Sequence, residues 1–298
     1  MPPRHDIDES VRSTLPLIPW LRLLRIWNVL LSGAAAIVGA YLTTGHIGLA
    51  AWILIPLAPM FITAAGNIQN DLCDLAIDRL NRPDRPLVTG TISPGQARTM
   101  AALFYATGLV TAGISGWLPL IIAAVVVLLL NLYNAKWSRF PGIGNLTVSA
   151  MGALPVIYGG VSVGAAIPSR LAIPAAAGVI AFWLHLAREL LKDTIDAGGD
   201  RASGRRTLPI IYGRTLAMRI GALAMLMAAA SSLWLGAAGL LGPLYLFGIC
   251  VTALPALLLG AAQCWWRPEL PIASMWAGWI KVIMLAGLVW MLLGVRPS

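Results

Sequence analysis

The sequence predicts an all-α integral membrane protein, a single domain over residues 1–298 built as a bundle of nine transmembrane helices. Of its 298 residues 58% are hydrophobic and 11% are charged, whereas a soluble domain has about 25% charged residues. The mean hydropathy is +0.80, and apolar runs of about 20 residues recur along the chain. Because these runs are continuous rather than alternating, they predict helices and not a β-barrel.

The apolar runs give the order and the approximate bounds of the spans. The first 20 residues are polar and lack the apolar core of a signal peptide, so residues 1–20 are predicted to form a cytosolic tail. Small residues such as Gly33 and Ala34 allow helices to approach closely in lipid. The nine spans are predicted at residues 23–43, 48–70, 94–114, 118–135, 146–165, 171–191, 215–236, 241–262 and 273–294.

The basic residues alternate sharply between the two sets of loops. Eighteen of the 21 Lys and Arg residues lie in the tail, in the second, fourth, sixth and eighth loops, or at the adjoining helix ends. The positive-inside rule therefore places the N-terminus and these loops in the cytoplasm, in a multi-pass protein of the cell membrane. All 12 acidic residues fall on the same side. Topology explains the net charge of +9, so no nucleic-acid partner is predicted.

Two charged stretches, Asn67–Gly90 and Glu189–Ile210, interrupt the apolar chain in the loops after the second and sixth spans. In each stretch three aspartates are spaced three and then four residues apart, and the two sets are offset by 122 positions. That offset equals four spans, which predicts two four-helix pseudo-repeats plus a ninth helix, with both sets in cytoplasmic loops. The aspartates are Asp71, Asp74 and Asp78 in the first stretch and Asp193, Asp196 and Asp200 in the second.

The aspartates are predicted to form carboxylate ladders at two helix ends. If the second span continues past Asn70, then Asn70, Asp74 and Asp78 lie on one helix face. Oxygen ligands without His or Cys suit Mg²⁺, which prefers one or two carboxylates together with phosphate oxygens. Two facing ladders would hold a diphosphate through Mg²⁺, with nearby basic residues neutralising its remaining charge.

The second ladder is expected to be interrupted, because Gly198 and Gly199 should end the sixth helix before Asp200. The ladders have two other interpretations. Solvated loop charges are disfavoured by the shared spacing of the two stretches. A cation transport site is disfavoured because such sites usually lie near the bilayer midplane on broken helices.

Both charged stretches match motifs of a known family of membrane enzymes. The motif NDxxDxxxD is formed by Asn70, Asp71, Asp74 and Asp78, and a DxxxD motif by Asp196 and Asp200. With the nine spans and the segment LYNAKWSRFPGIGN after the fourth span, these motifs resemble the UbiA superfamily of intramembrane prenyltransferases over the whole chain.

Within that superfamily, NRPDRPLVTG and RELLKDTIDAGGDRASGRRTLPI are most similar to the digeranylgeranylglyceryl phosphate synthase branch. The sequence departs from the family pattern at two places, and both departures leave the identity of the acceptor open. Arg25–Asn28 reads RIWN where much of the family has Arg-Pro-x-Asn, and Leu87–Thr89 stands in place of Ile-Pro-Ser.

The resemblance implies Mg²⁺-dependent transfer of a geranylgeranyl group from its diphosphate to geranylgeranylglyceryl phosphate, with membrane lipids around the site. The alternatives are an aromatic acceptor (4-hydroxybenzoate, homogentisate or a chlorophyllide-like ring) and, in a different class, a cation or lipid transporter. The six aspartates are the candidate catalytic residues and, with Asn70, the candidate metal ligands. The candidate substrate-binding residues are Arg22, Arg25, Asn28, Asn67, Asn70, Arg79, Arg82, Arg85, Tyr133, Lys136, Asn145, Arg188, Lys192 and Arg205.

Overall fold

A computed structural model of the chain describes residues 17–164, 168–202 and 204–296. These residues are helical apart from short connections, and no β-strand occurs among them. The α-helices are α1 (Leu17–Leu24), α2 (Ile26–Thr44), α3 (Leu49–Cys73), α4 (Leu75–Asn81), α5 (Pro94–Ser115), α6 (Trp117–Ala135), α7 (Ile143–Gly164), α8 (Ala172–Ala202), α9 (Leu208–Tyr212), α10 (Arg214–Ala237), α11 (Pro243–Val251), α12 (Ala253–Trp266) and α13 (Leu270–Leu293).

The prediction of a helical membrane bundle is confirmed. Eight candidate spans among the described residues are long and apolar enough to cross a membrane, counting α11 and α12 together as one. The third predicted span corresponds to α5, which has 22 residues and packs against α3. Polar residues such as Gln96 and Arg98 lower its hydropathy, and it is not among the eight. The count of nine spans therefore stays a prediction, as do the two pseudo-repeats.

Helix α8 is longer than the sixth predicted span and carries the whole second aspartate set. It continues through Gly198 and Gly199 to Ala202, so the predicted helix end before Asp200 was wrong. Each interior glycine costs a helix about 1 kcal/mol. Contacts of Asp200 oppose that cost: its carbonyl accepts a hydrogen bond of 2.9 Å from the Arg205 amide, and its carboxylate lies 3.6 Å from the Arg205 guanidinium. The second set thus lies on a helix rather than in a loop.

The first aspartate set lies at a bend between two helices. The backbone leaves helical geometry at Asp74 (φ −92°, ψ 5°), which separates α3 from α4. The single helical face predicted through Asn70, Asp74 and Asp78 is therefore interrupted. The bend brings α4 into contact with α8, and so it places the first set beside the second.

Helix α1 includes residues 17–20, which the sequence assigned to the polar tail. It packs against α3, and Leu23 is fully buried beside Ile68. Trp20 packs against the same cluster, so apolar packing starts before the predicted first span. The remainder of that tail, residues 1–16, lies outside the described residues.

Helices α2 and α7 cross at two glycines. A Cβ atom on Gly39 would lie 1.8 Å from the Val156 carbonyl oxygen, and one on Gly159 would lie 1.8 Å from the Ala36 carbonyl oxygen. Backbone atoms cannot move aside as the end of a flexible side chain can. The crossing, which fixes one wall of the bundle interior, therefore requires glycine at both positions.

Gly159→Ala is expected to destabilise the folded bundle by roughly 2 kcal/mol or more, because the added methyl group forces α2 and α7 apart. Thermal unfolding of the purified protein in detergent measures this as a lower midpoint. Gly278→Ala is the matched control, since a Cβ atom there meets no atom within 4 Å. Equal midpoints for the two variants would contradict the crossing geometry.

Candidate active site

Two adjoining cavities lie where α3 and α8 end on the same side of the bundle. The larger has a volume of about 800 Å³ and extends from Arg22 on α1 deep between the helices, to Ile180 on α8 and Met291 on α13. We call it the large cavity. The smaller has a volume of about 40 Å³, and we call it the polar cavity. The two cavities share lining residues, among them Tyr133 and Lys192.

Both aspartate sets contribute to the polar cavity. Asp74 comes from the bend after α3, and the other set comes from successive turns of α8. The Asn145 amide donates a hydrogen bond of 2.8 Å to the Asp193 carboxylate. The polar cavity is lined by Asn70, Asp74, Tyr133, Asn145, Glu189, Lys192, Asp193, Asp196, Asp200 and Arg205, together with Ser138, Phe140, Gly144, Val148 and Thr207.

Two arginines cross between the charged stretches in a reciprocal way. Arg82, in the first stretch, donates to both carboxylate oxygens of Asp196 at 3.2 and 3.3 Å. Arg205, in the second stretch, donates to the Asp74 carboxylate. Asp74 and Asp196 are counterparts in the 122-residue offset. Each central aspartate is therefore held by an arginine that follows the other set.

Asp71 and Asp78 converge on a single arginine. Arg85 Nη1 donates to the Asp71 carboxylate at 2.8 Å and also to the Asp78 carboxylate. The two aspartates are buried, with 3% and 6% of their surface exposed. Burial raises the pKa of the Asp78 carboxyl, and the charge of Arg85 opposes that rise. These two carboxylates fix the position of the Arg85 guanidinium at the edge of the large cavity.

Arg25 adopts a left-handed backbone conformation between α1 and α2, with φ 53°. Such a conformation costs a non-glycine residue about 1–2 kcal/mol. Its Nη2 atom donates to Asp71 at 2.6 Å and to Asn70 at 3.1 Å. The strained turn is thus retained where its side chain ties the first helices to the aspartate motif.

The structure brings most of the predicted site residues to the cavities and leaves three outside. Asp78, Arg79 and Lys136 line neither cavity. Arg79 is exposed, and Lys136 is also exposed, with its ammonium 6.0 Å from the ring centre of Phe140. The large cavity receives Arg22, Arg25, Asn28, Asn67, Asn70, Asp71, Arg82, Arg85, Tyr133, Arg188 and Lys192.

Several polar residues of the large cavity were not among the predicted site residues, and Asn134 and Lys281 are two of them. Asn134 follows Tyr133 on α6 and accepts a hydrogen bond from Asn70 at 3.4 Å. Lys281 lies within α13, the last membrane span. The charge of Lys281 could have identified it from the sequence, because an ionisable residue inside a membrane span is costly and usually has a function.

The donor atoms of the polar cavity fit Mg²⁺ in their chemistry. The cavity presents carboxylate and amide oxygens, which are the hard ligands that Mg²⁺ prefers. Among the described residues no three His, Cys, Asp or Glu side chains converge as a ready-made metal cage. Mg²⁺ does not need such a cage, since it commonly binds one or two carboxylates and completes its shell with phosphate oxygens and water.

Comparison with known proteins decides the family. Residues 29–280 match the UbiA prenyltransferase family. The chain belongs to this family. The match includes both aspartate sets and every residue that lines the polar cavity, so the UbiA prenyltransferase fold is what brings the two motifs together.

Individual UbiA relatives support the same assignment. The chain is 32% identical over 274 residues to digeranylgeranylglyceryl phosphate synthase of Natronomonas pharaonis, covering 92% of this chain and 95% of the relative. A solved structure from work on digeranylgeranylglyceryl phosphate synthase in membranes has a TM-score of 0.75 at 26% identity, covering 94% of this chain and 98% of that one. A UbiA homolog from Archaeoglobus fulgidus, bound to GPP and Mg²⁺, has a TM-score of 0.67 at 21% identity, covering 92% and 99%.

Proposed function

We propose that this UbiA prenyltransferase transfers a geranylgeranyl group from its diphosphate to geranylgeranylglyceryl phosphate. One observation carries the proposal: two aspartate sets, from distant parts of the chain, line one polar cavity that adjoins a large and mainly apolar cavity. That arrangement suits a substrate with a diphosphate at one end and a long isoprenyl chain at the other. The name of the Natronomonas relative supplies the acceptor.

The proposed Mg²⁺ ligands are Asn70 and the five aspartates that line the cavities, while Asp78 lines neither cavity and is proposed to act through Arg85. When bound, Mg²⁺ would neutralise the diphosphate and stabilise the charge that develops on it as a leaving group. The structure presents Asp74, Asp193, Asp196 and Asp200 to the polar cavity. Asp71 lines the large cavity, and Asp78 supports the site through Arg85.

The arginines are proposed to bind the diphosphate oxygens. Arg82 and Arg205 each sit on a central aspartate of the opposite set, and Lys192 lies 3.8 Å from Asp196. These cations lie beside the carboxylates of the polar cavity. A diphosphate bound in that cavity would bring its oxygens within reach of them. Charge-assisted hydrogen bonds from them stabilise the leaving diphosphate more strongly in a cavity than in water.

The large cavity is proposed to hold the isoprenyl chains and to protect the reacting carbon. Breaking the allylic C–O bond leaves the electron pair of that bond on the diphosphate and a cation on the isoprenyl chain. The hydroxyl oxygen of the acceptor then attacks this cation, and the hydroxyl proton is lost. Apolar side chains such as Leu130, Val156 and Met284 line the cavity and exclude water. The Tyr133 ring borders both cavities, where its face can stabilise the cation.

The aspartate sets are proposed to face the cytoplasm of the cell. The connections on their side of the bundle carry most of the Lys and Arg residues, while the opposite connections have few. The positive-inside rule then gives the orientation.

Purified protein given geranylgeranyl diphosphate, geranylgeranylglyceryl phosphate and Mg²⁺ is expected to form the doubly prenylated glyceryl phosphate and to release diphosphate. Mass spectrometry of the lipid product measures the transfer. Removal of Mg²⁺ with EDTA should stop it, and added Mg²⁺ should restore it. Turnover of 4-hydroxybenzoate or homogentisate with no glyceryl phosphate product would overturn the proposal, as would cation uptake into liposomes without diphosphate release.

A further inference from the structure

Lys281 lies halfway along α13, inside the last membrane span. The helix packs against α2 and α8, and the Lys281 side chain lines the large cavity. Among the described residues it has no ion pair and no hydrogen bond. An ionisable residue in a span is costly and, where it faces a cavity, commonly marks a functional site.

The large cavity has an excess of positive charge. It is lined by seven Lys and Arg residues but only three Asp and Glu residues. Five of the seven cations that line the cavity have carboxylate partners. The other two, Arg22 and Lys281, have no ion pair among the described residues. Both side chains are exposed, and like charges that line one cavity repel one another unless an anion joins them.

Arg188 adds an unsatisfied donor to the same region. Its Nη1 atom donates to Glu189 at 2.5 Å, whereas its Nε atom is buried and has no hydrogen-bond partner among the described residues. Helix α8, which carries Arg188, packs against α13, which carries Lys281. Three helices, α1, α8 and α13, therefore each bring to the large cavity a cationic donor atom with no partner among the described residues.

These three cations are distinct from the lining of the polar cavity. Lys281, Arg188 and Arg22 line only the large cavity and contribute nothing to the polar cavity that holds the second aspartate set. The polar cavity is rich in carboxylates, which suits a diphosphate bound through Mg²⁺. The large cavity instead presents two cations, Arg22 and Lys281, that have no carboxylate partner among the described residues and so suit an anion bound directly.

We propose that Lys281, with Arg188 and Arg22, binds the phosphate of the lipid acceptor. The inference rests on the proposed function, since it requires a phosphorylated acceptor. The bound phosphate sets the acceptor hydroxyl beside the reacting carbon while the acceptor's isoprenyl chain lies along the apolar wall formed by Met284 and Leu288. An aromatic acceptor without a phosphate would lack the anionic group that these cations bind in the proposal.

Lys281→Met is expected to raise the KM for geranylgeranylglyceryl phosphate about tenfold or more, because a hydrogen bond to a charged group is lost. The KM for geranylgeranyl diphosphate and the kcat should stay within about twofold, since the phosphate contact is the same in the ground state and the transition state. Lys281→Arg keeps the charge and is expected to recover most of the acceptor affinity. Arg267→Met is the control, because Arg267 is exposed and lines neither cavity.

The outcomes separate this inference from the function on which it rests. Wild-type protein that prenylates no glyceryl phosphate refutes the proposed function itself. Wild-type turnover with an unchanged acceptor KM in Lys281→Met refutes the phosphate site alone. A rise in the KM for the diphosphate donor instead would assign Lys281 to the donor and also overturn the inference. Thermal unfolding at the wild-type temperature shows that the variant is folded.

Discussion

Asp74→Ala and Asp196→Ala are each expected to reduce turnover by at least about 10²-fold, the effect of removing one preorganised electrostatic contact in an active site. The two aspartates are counterparts in the two sets, and both line the polar cavity. Loss of either carboxylate removes a proposed oxygen ligand for Mg²⁺ and frees the arginine that crosses to it. The initial rate of diphosphate release at saturating Mg²⁺ measures the effect.

Glu269→Gln is the control for a lost acidic charge. Glu269 precedes α13 in an exposed position and lines neither cavity, so this variant should keep wild-type activity. Both aspartate variants should elute as the wild-type protein does in size-exclusion chromatography. Full turnover in Asp74→Ala or in Asp196→Ala would refute the assignment of a shared site to the two sets.

Arg205→Gln is expected to have the next largest effect, a loss of about 10²-fold in kcat/KM for the diphosphate donor. Arg205 contacts Asp74 in the first set and Asp200 in its own, so it is the cation that links both sets at the polar cavity. Steady-state kinetics with varied donor concentration measures the loss. Arg205→Lys should recover only part of it, because a lysine cannot reproduce the planar fork of donors.

Arg201→Gln supplies the comparison for Arg205. Arg201 lies four residues earlier in the chain, is exposed, and lines neither cavity. Arg201→Gln changes the net charge by the same amount as Arg205→Gln, but it should leave kcat/KM for the diphosphate donor unchanged. Similar losses in both variants would mean that the overall positive charge of this face, and not the position of Arg205, determines donor binding.

The spacing of the aspartates was enough to predict that distant stretches share one site. Because the second and sixth spans are separated by an even number of crossings, both sets had to lie on one side of the membrane. That reasoning used only apolar runs and positions in the chain. It predicted the helical membrane class and the pairing of the two stretches, and the structure places Asp74 and Asp196 on one cavity.

Details within the stretches could not be predicted, because tertiary contacts override local preference there. The Gly198–Gly199 pair favours a helix end, but the contacts of Asp200 with Arg205 accompany a helix that continues. The bend at Asp74 coincides with a long-range ion pair to Arg205, which no local pattern reveals. Charge alone cannot separate Arg82, which reaches Asp196, from Arg79, which is exposed.

Two features of the site have weak sequence signals for different reasons. The left-handed turn at Arg25 lacks the glycine that usually marks such a backbone. Lys281 is visible as a charge in an apolar span, but only the packing of α13 against α2 and α8 shows that it lines the cavity.

The central claim, that both aspartate sets form one Mg²⁺-dependent diphosphate site, is tested most directly by an experimental structure with Mn²⁺ and an unreactive thio analogue of geranylgeranyl diphosphate. Anomalous scattering locates the metal. The expected result is metal density at the polar cavity, bound by oxygens from both sets and by the diphosphate, with the isoprenyl chain in the large cavity. A diphosphate bound elsewhere, or a metal held by only one set, would contradict the claim.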